Sequence, residues 1–197
     1  MKIIFATGNK GKLREAAEIL GDGFELVSPA QMGIFDDVEE TGDTLLANSI
    51  LKAEHIWRLT GLDCFADDTG LEVDALGGEP GVHSARYATD GHDFDANIDK
   101  LLAELSKHPG APRTARFRCI VTLITGGQKH FFEGRVEGSI ALERAGSEGF
   151  GYDPVFVPDG YGGLTMAQLG ESVKNEISHR GKSLRAMALW LKENMPR

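Results

Sequence analysis

Residues 65–78 read FADDTGLEVDALGG and carry Asp67, Asp68, Glu72 and Asp74 in close succession. Two neighbouring aspartates beside an apolar run repel each other unless a cation neutralises them. Two explanations stand. One is a solvated turn held by Asx hydrogen bonds. The other is a divalent-metal site at the end of a strand, and oxygen-only ligands favour Mg2+.

Four further stretches hold chemistry-bearing residues. TGNKGK, Thr7 to Lys12, has glycines that let backbone N–H groups converge, and Lys10 and Lys12 add charge. Its composition suits an anion held at a helix N-terminus. It equally suits a basic turn with Asn9 as the cap, and the Walker A spacing is absent. Glu39-Glu40-Thr41-Gly42 precedes a helix that carries Lys52; an acidic helix entrance complementing the dipole is the plain reading. GFGYDP, Gly149 to Pro154, sets two aromatics and an aspartate among glycines. That pattern suits stacking on a flat base with one polar anchor, or a turn before a strand. KNEISHRGKS, Lys174 to Ser183, reads as the start of a helix in which Arg180 offers a planar fork of donors.

The bulk composition limits the partners. The chain has 197 residues with 41% hydrophobic and 26% charged content, ordinary for a folded domain. Its net charge of −9 disfavours polymeric nucleic acid, which normally meets a basic face. A small anion gathered by a few lysines remains open. Cys64 and Cys119 form no CxxC pair and read as reduced core residues. The first apolar run is too short for a signal-peptide core. No stretch approaches the ~20 apolar residues that cross a bilayer. A cytoplasmic protein without membrane contact is expected.

The elements that must position these residues follow from periodicity. Strands are predicted at 2–6, 24–28 and 64–66, with DDTG as the turn after the third. A helix after TGNKGK turns Leu13, Ala16, Ala17 and Leu20 inward. Another begins near Asp43, with Asp43 or Thr44 as cap and Leu46, Ile50, Ala53 and Trp57 as its stripe. Residues 76–94 read as a long loop and 95–106 as a helix. Alternation from Ala115 to Leu123, then Gly126-Gly127, predicts a long β-hairpin. PVFVP is a short strand, and the C-terminus is helical with Ile177, Leu184, Met187, Ala188 and Leu191 inward. Helices between apolar strands plus a hairpin imply an α/β domain with a mixed sheet, one domain over 1–197.

TGNKGK, EETG, ILKA, ADDTGL, LGGEPGVHSARY, FGYDPVF and KNEISHRGK, in this order, resemble the inosine triphosphate pyrophosphatases, the bacterial dITP/XTP type above all. The resemblance runs from Lys2 to about Leu191. It implies an elongated two-lobed fold around a long mixed sheet with the site in the cleft between the lobes, a homodimer, and a Mg2+ requirement. It implies hydrolysis of dITP, ITP and XTP to the monophosphate and pyrophosphate. By the same resemblance Thr7, Gly8, Asn9, Lys10, Gly11, Lys12 and Lys52 bind the triphosphate. Glu39 and Asp68 ligate the metal, and Asp68 is also the base. Thr69 contacts substrate with the hydroxyl that relatives carry as Ser. Phe150, Gly151, Tyr152, Asp153, Lys174, His179 and Arg180 recognise the purine. A pyrophosphatase for modified pyrimidine nucleotides and a non-catalytic nucleotide sensor are the alternatives; the first lacks SHR after FGYDP.

Overall fold

A computed structural model describes residues 1–36 and 38–194 of the chain. Its strands are β1 (Lys2–Phe5), β2 (Glu25–Val27), β3 (Cys64–Val73), β4 (Thr114–Thr125), β5 (Gln128–Ile140) and β6 (Phe156–Pro158). The helices are α1 (Lys10–Leu20), α2 (Leu45–Thr60), α3 (Phe94–Ser106), α4 (Glu171–Ile177) and α5 (His179–Asn194). One six-stranded sheet runs in the order β2-β1-β3-β4-β5-β6. β1 pairs parallel with β2 and β3, while β5 and β6 are antiparallel. The sheet is therefore mixed, as the alternation of helices and strands implied.

The chain divides into two compact units. The first comprises Met1–Asp68, Cys119–Gly134 and His179–Arg197; the second comprises Thr69–Arg118 and Arg135–Ser178. In the first, side-chain alternation splits the core into two layers. Ile3 and Phe5 of β1, Phe65 of β3 and Cys119, Val121 and Leu123 of β4 pack on one side with Ala16 and Leu20 of α1 and Leu184, Met187 and Leu191 of α5. Phe5 stacks on Phe65 at 4.3 Å between centroids. Ile4, Cys64, Ala66 and Ile124 lie on the other side with Ala53 and Ile56 of α2. Both cysteines are buried and neither is in a disulfide; burial pushes the Cys64 thiol up to about 12, so it is an inert core residue. The second unit has its own core of Leu71, Val73, Ile98, Leu101, Phe117 and Phe156, among others.

Three expectations are corrected. The third strand does not end at Ala66. β3 continues through DDTGLEV to Val73, so Asp67 and Asp68 lie mid-strand and DDTG is no turn. Propensity disfavours aspartate in a strand, but tertiary charge partners override it here. The buried face of α2 is Leu45, Asn48, Ser49, Ala53 and Ile56; of the predicted stripe Ala53 lies on it and Trp57 packs half-buried against the same core, while Leu46 is 40% exposed. Polar residues hide the true face, because Asn48 and Ser49 are buried on hydrogen bonds rather than on hydrophobicity. Finally, KNEISHRGKS is not one helix start: α4 ends at Ile177 and α5 begins at His179 after Ser178. Thr44, one of the two predicted caps, does cap α2, accepting from the Ala47 N–H at 3.1 Å.

Candidate active site

Mid-strand placement resolves the paradox of adjacent carboxylates. Successive side chains of a strand point to opposite faces. Asp67 shares the face of Phe65 and meets α1 and α5. Asp68 shares the face of Cys64 and Ala66 and meets α2. Each carboxylate finds its own cation. Asp67 is 2% exposed; it accepts from Lys12 Nζ at 3.0 Å through Oδ1 and from Arg180 Nε at 2.9 Å through Oδ2. Arg180 also donates to Glu15 at 3.2 Å. Burial would raise the Asp67 carboxyl, but Lys12, Arg180 and Lys52 overcome it and hold it well below the usual carboxylate range. Burial would lower the Arg180 guanidinium; Asp67 outweighs it and raises it.

Asp68 is bound less completely. Its Oδ1 accepts from Lys52 Nζ at 3.1 Å, and Glu40 shares that ammonium at 2.9 Å. Its Oδ2 is buried with no hydrogen-bond partner. Burial raises the Asp68 carboxyl, Lys52 works against that, and Glu40 and Asp67 add repulsion, leaving it above its ordinary value. Burial would lower Lys52; Asp68, then Asp67 and Glu40, outweigh it and raise it. An acid pair sharing one lysine, with a carboxylate oxygen left over, is a place where a further cation is electrostatically welcome.

The segment that supplies Glu39 and Glu40 is fastened to α2. The Gly42 N–H donates to Asn48 Oδ1 at 2.7 Å. A Cβ at Gly42 would meet Asn48 Oδ1 at 2.6 Å and Ala47 Cβ at 2.7 Å, so only glycine fits there. Glu39 itself is exposed, and among the described residues no side-chain contact joins it to Asp68; Glu40 is the acid that shares Lys52.

At the start of α1, Asn9 is the helix cap: its Oδ1 accepts from the N–H groups of Gly11 at 2.8 Å and Lys12 at 3.1 Å. The Asn9 N–H donates to Thr7 Oγ1 at 3.1 Å. The cap expected at Asn9 is therefore present. Asn9 satisfies the inner amides, and the outer face of Thr7, Gly8 and Lys10 lines a cavity of about 400 Å3 together with Lys52. His179, at the first position of α5, is half-buried; desolvation and the neighbouring Arg180 lower it to about 3, so its imidazole is neutral.

The remaining predicted residues belong to the second unit. Phe150 is 66% exposed and lies 6.3 Å from Phe94, rings tilted at 46°. Tyr152 is buried and donates to the Ser84 carbonyl at 2.8 Å. Of the two aromatics, Phe150 is the one with an open face. Asp153 Oδ2 accepts from Lys174 Nζ at 2.8 Å and from the Phe150 N–H at 3.2 Å, and Gly149 to Gly151 line an open depression with Phe94. Thr69 Oγ1 is buried without a hydrogen-bond partner.

Sequence reasoning did not foresee the roles of Asp67, Glu15 and Glu40. For Asp67 a signal existed: a period-2 reading of FADDTGLEV puts Asp67 and Asp68 on opposite faces. For Glu40 a signal existed in the EETG segment that leads into the helix carrying Lys52, 12 residues on; for Glu15 none exists, since Arg180 lies 165 residues away.

Known proteins agree with this architecture. A protein of Porphyromonas gingivalis named dITP/XTP pyrophosphatase is 54% identical over 179 residues, 91% of each chain. One of the same name from Methylococcus capsulatus is 46% identical, covering 95% of this chain and 94% of its own. The solved structure of a HAM1 protein from Coxiella burnetii superposes with a TM-score of 0.93 at 36% identity, covering 98% of this chain and 99% of that one. A Mycobacterium abscessus structure described as a nucleoside-triphosphatase / dITP/XTP pyrophosphatase gives 0.83 at 45% identity, covering 95% and 98%. The Ham1 family model matches residues 3–190, and with relatives this similar over nearly its whole length the chain belongs to the Ham1 family.

Proposed function

We propose that this protein hydrolyses nonstandard purine nucleoside triphosphates, dITP, ITP and XTP, to the monophosphate and pyrophosphate. Relatives bearing the name dITP/XTP pyrophosphatase support the substrate class. The observation that carries the chemistry is Asp68, a buried carboxylate with one oxygen on Lys52 and the other without a partner.

Enzymes that split polyphosphates of this kind need a divalent cation, and the residues fit one. The unpartnered Asp68 oxygen and the acidic segment at 39–40 are the donor chemistry of a hard cation. Among the described residues no three metal-ligating side chains gather at one point. The reading assigns Mg2+, which takes one or two carboxylates and leaves its other positions to water and phosphate. Glu39 and Asp68 would hold it. When bound, the ion neutralises charge on the phosphate oxygens and on the leaving pyrophosphate.

The chain's own residues do the rest. Thr7 to Lys12 and Lys52 bind and orient the triphosphate, whose charge a protein of net −9 must hold with local cations. Water attacks the α-phosphorus, the bond to the β-phosphate bridging oxygen breaks, and pyrophosphate leaves. Asp68 takes the proton of the attacking water, a role worth about 10²–10⁴-fold. The base-reading set is the one the resemblance implies, Phe150 to Asp153, Lys174, His179 and Arg180. Hypoxanthine and xanthine offer O6 as an acceptor where adenine offers an amino donor, and a site built of donors rejects the wrong edge by ~10⁴-fold or more. The reading includes a homodimer working in the cytoplasm; sedimentation at working concentration checks the first. Among the described residues no helix is long and apolar enough to cross a membrane.

A panel of nucleoside triphosphates scored for pyrophosphate release tests this. dITP, ITP and XTP should be cleaved, with ATP and CTP slower by about 10²-fold or more. EDTA should silence the reaction and Mg2+ restore it. Preference for a modified pyrimidine, or no release from any of them, ends the reading. Gly42→Ala should lower kcat/KM for ITP by roughly 10- to 100-fold, because a side chain there displaces the Glu39–Glu40 segment. Wild-type kinetics in that variant would show that the segment does not matter.

A further inference from the structure

His55 belongs to no part of the mechanism above, yet its position is unusual. It sits on α2 three residues after Lys52, so the two side chains share one helix face. The cavity beside the α1 turn is lined by His55 as well as by Gly8, Lys10 and Lys52. Its Nε2 is buried with no hydrogen-bond partner. Buried polar atoms in folded chains nearly always find one, and each exception asks for a reason.

The cavity itself has the character of a small-anion site. Its volume, about 400 Å3, lies within the ~300–1,000 Å3 of small-molecule pockets. Two of its lining side chains are ammonium groups, and Asp36 is the single acid among the described lining residues. A Cβ built on Gly8 meets nothing within 4 Å. The fold itself does not demand glycine there, and Gly8 leaves its backbone open to the cavity.

We propose that His55 donates an N–H hydrogen bond to the terminal phosphate of the triphosphate tail that the turn and lysines beside this cavity hold. The inference rests on the triphosphate hydrolysis and the phosphate-binding residues proposed above and adds His55 to them. Lys10 and Lys52 attract the end with the most charge. The imidazole adds a directional donor, which tells a terminal phosphate from other anions.

Calorimetric titration of the full chain with sodium pyrophosphate, at fixed Mg2+, tests this without turnover. Inosine monophosphate is titrated in parallel. His55→Leu keeps the bulk and removes the donor; His55→Gln keeps an N–H at a similar reach. His55→Leu should weaken pyrophosphate binding about tenfold or more while inosine monophosphate binds as before, and His55→Gln should recover most of the loss. Thermal melts of both variants identify any that are not folded, and the folded one decides. Wild-type pyrophosphate affinity in His55→Leu overturns the proposal. So does an equal loss for the monophosphate, or a wild-type protein that does not bind pyrophosphate. If the donor-dependent loss appears in a protein that fails to cleave ITP, the His55 contact stands and the hydrolase reading falls; the opposite pattern keeps the hydrolase and removes His55.

Discussion

Asp68→Asn is expected to lower pyrophosphate release from dITP or XTP by about 10³-fold or more, with the melting temperature within a few degrees of wild type. The amide keeps the shape of the side chain. It can neither take a proton from water nor contribute negative charge toward a cation, and losing both roles compounds. Stability should hardly change, for a specific reason. Asp68 is buried with one oxygen unpartnered, so its ionised form already bears an uncompensated desolvation cost. Lys52 keeps Glu40 as a partner at 2.9 Å when Asp68 loses its charge. Steady-state release and a thermal melt on the same preparation check both halves. Activity near wild type would remove Asp68 from the chemistry.

Asp67→Asn should do the reverse, one residue away. Here the carboxylate is fully used: Lys12 at 3.0 Å and Arg180 at 2.9 Å occupy its two oxygens. Neutralising it leaves two cations facing each other in a buried layer. Breaking a buried pair by removing one partner costs about 3–5 kcal/mol, which for a chain of this size lowers the melting temperature by roughly 6–20 °C. The pH dependence has a definite sign. The folded carboxyl lies below the ordinary aspartate value of 3.8. Its stabilisation is therefore complete above that value and is lost as pH falls from there toward the folded one. Wild type should lose stability over that acid window, and Asp67→Asn should lose less. Denaturant melts from pH 7 down to 2 measure this. Equal stability of the two proteins at neutral pH would show that the buried ion pairs are not what holds α1 and α5 to β3.

Much of this was legible in the order of the residues. An unbroken apolar run marks β1, which is buried on both faces, and alternation at period 2 marks the long β4–β5 hairpin, because a strand with one covered face repeats its apolar residues every second position. The 3.6-residue spacing of α1 and α3, and the cap at Thr44, are local too. The lysines, glycines and acids of TGNKGK, EETG and ADDTG mark the stretches proposed to meet phosphate by type, but type alone does not separate chemistry from structure, since Lys12 and Asp67 of the same stretches pair with each other. What stayed out of sight depends on partners distant in sequence. β3 runs through two aspartates because Lys12, Arg180 and Lys52, 16 to 113 residues away, supply the charge that local propensity cannot anticipate. The break at Ser178 sends Lys174 to Asp153 and Arg180 to Asp67, a division no helical period reveals. Which member of an adjacent pair is structural and which is free for chemistry is a question of face, and a face acquires its charge only when the helices that cover it have packed.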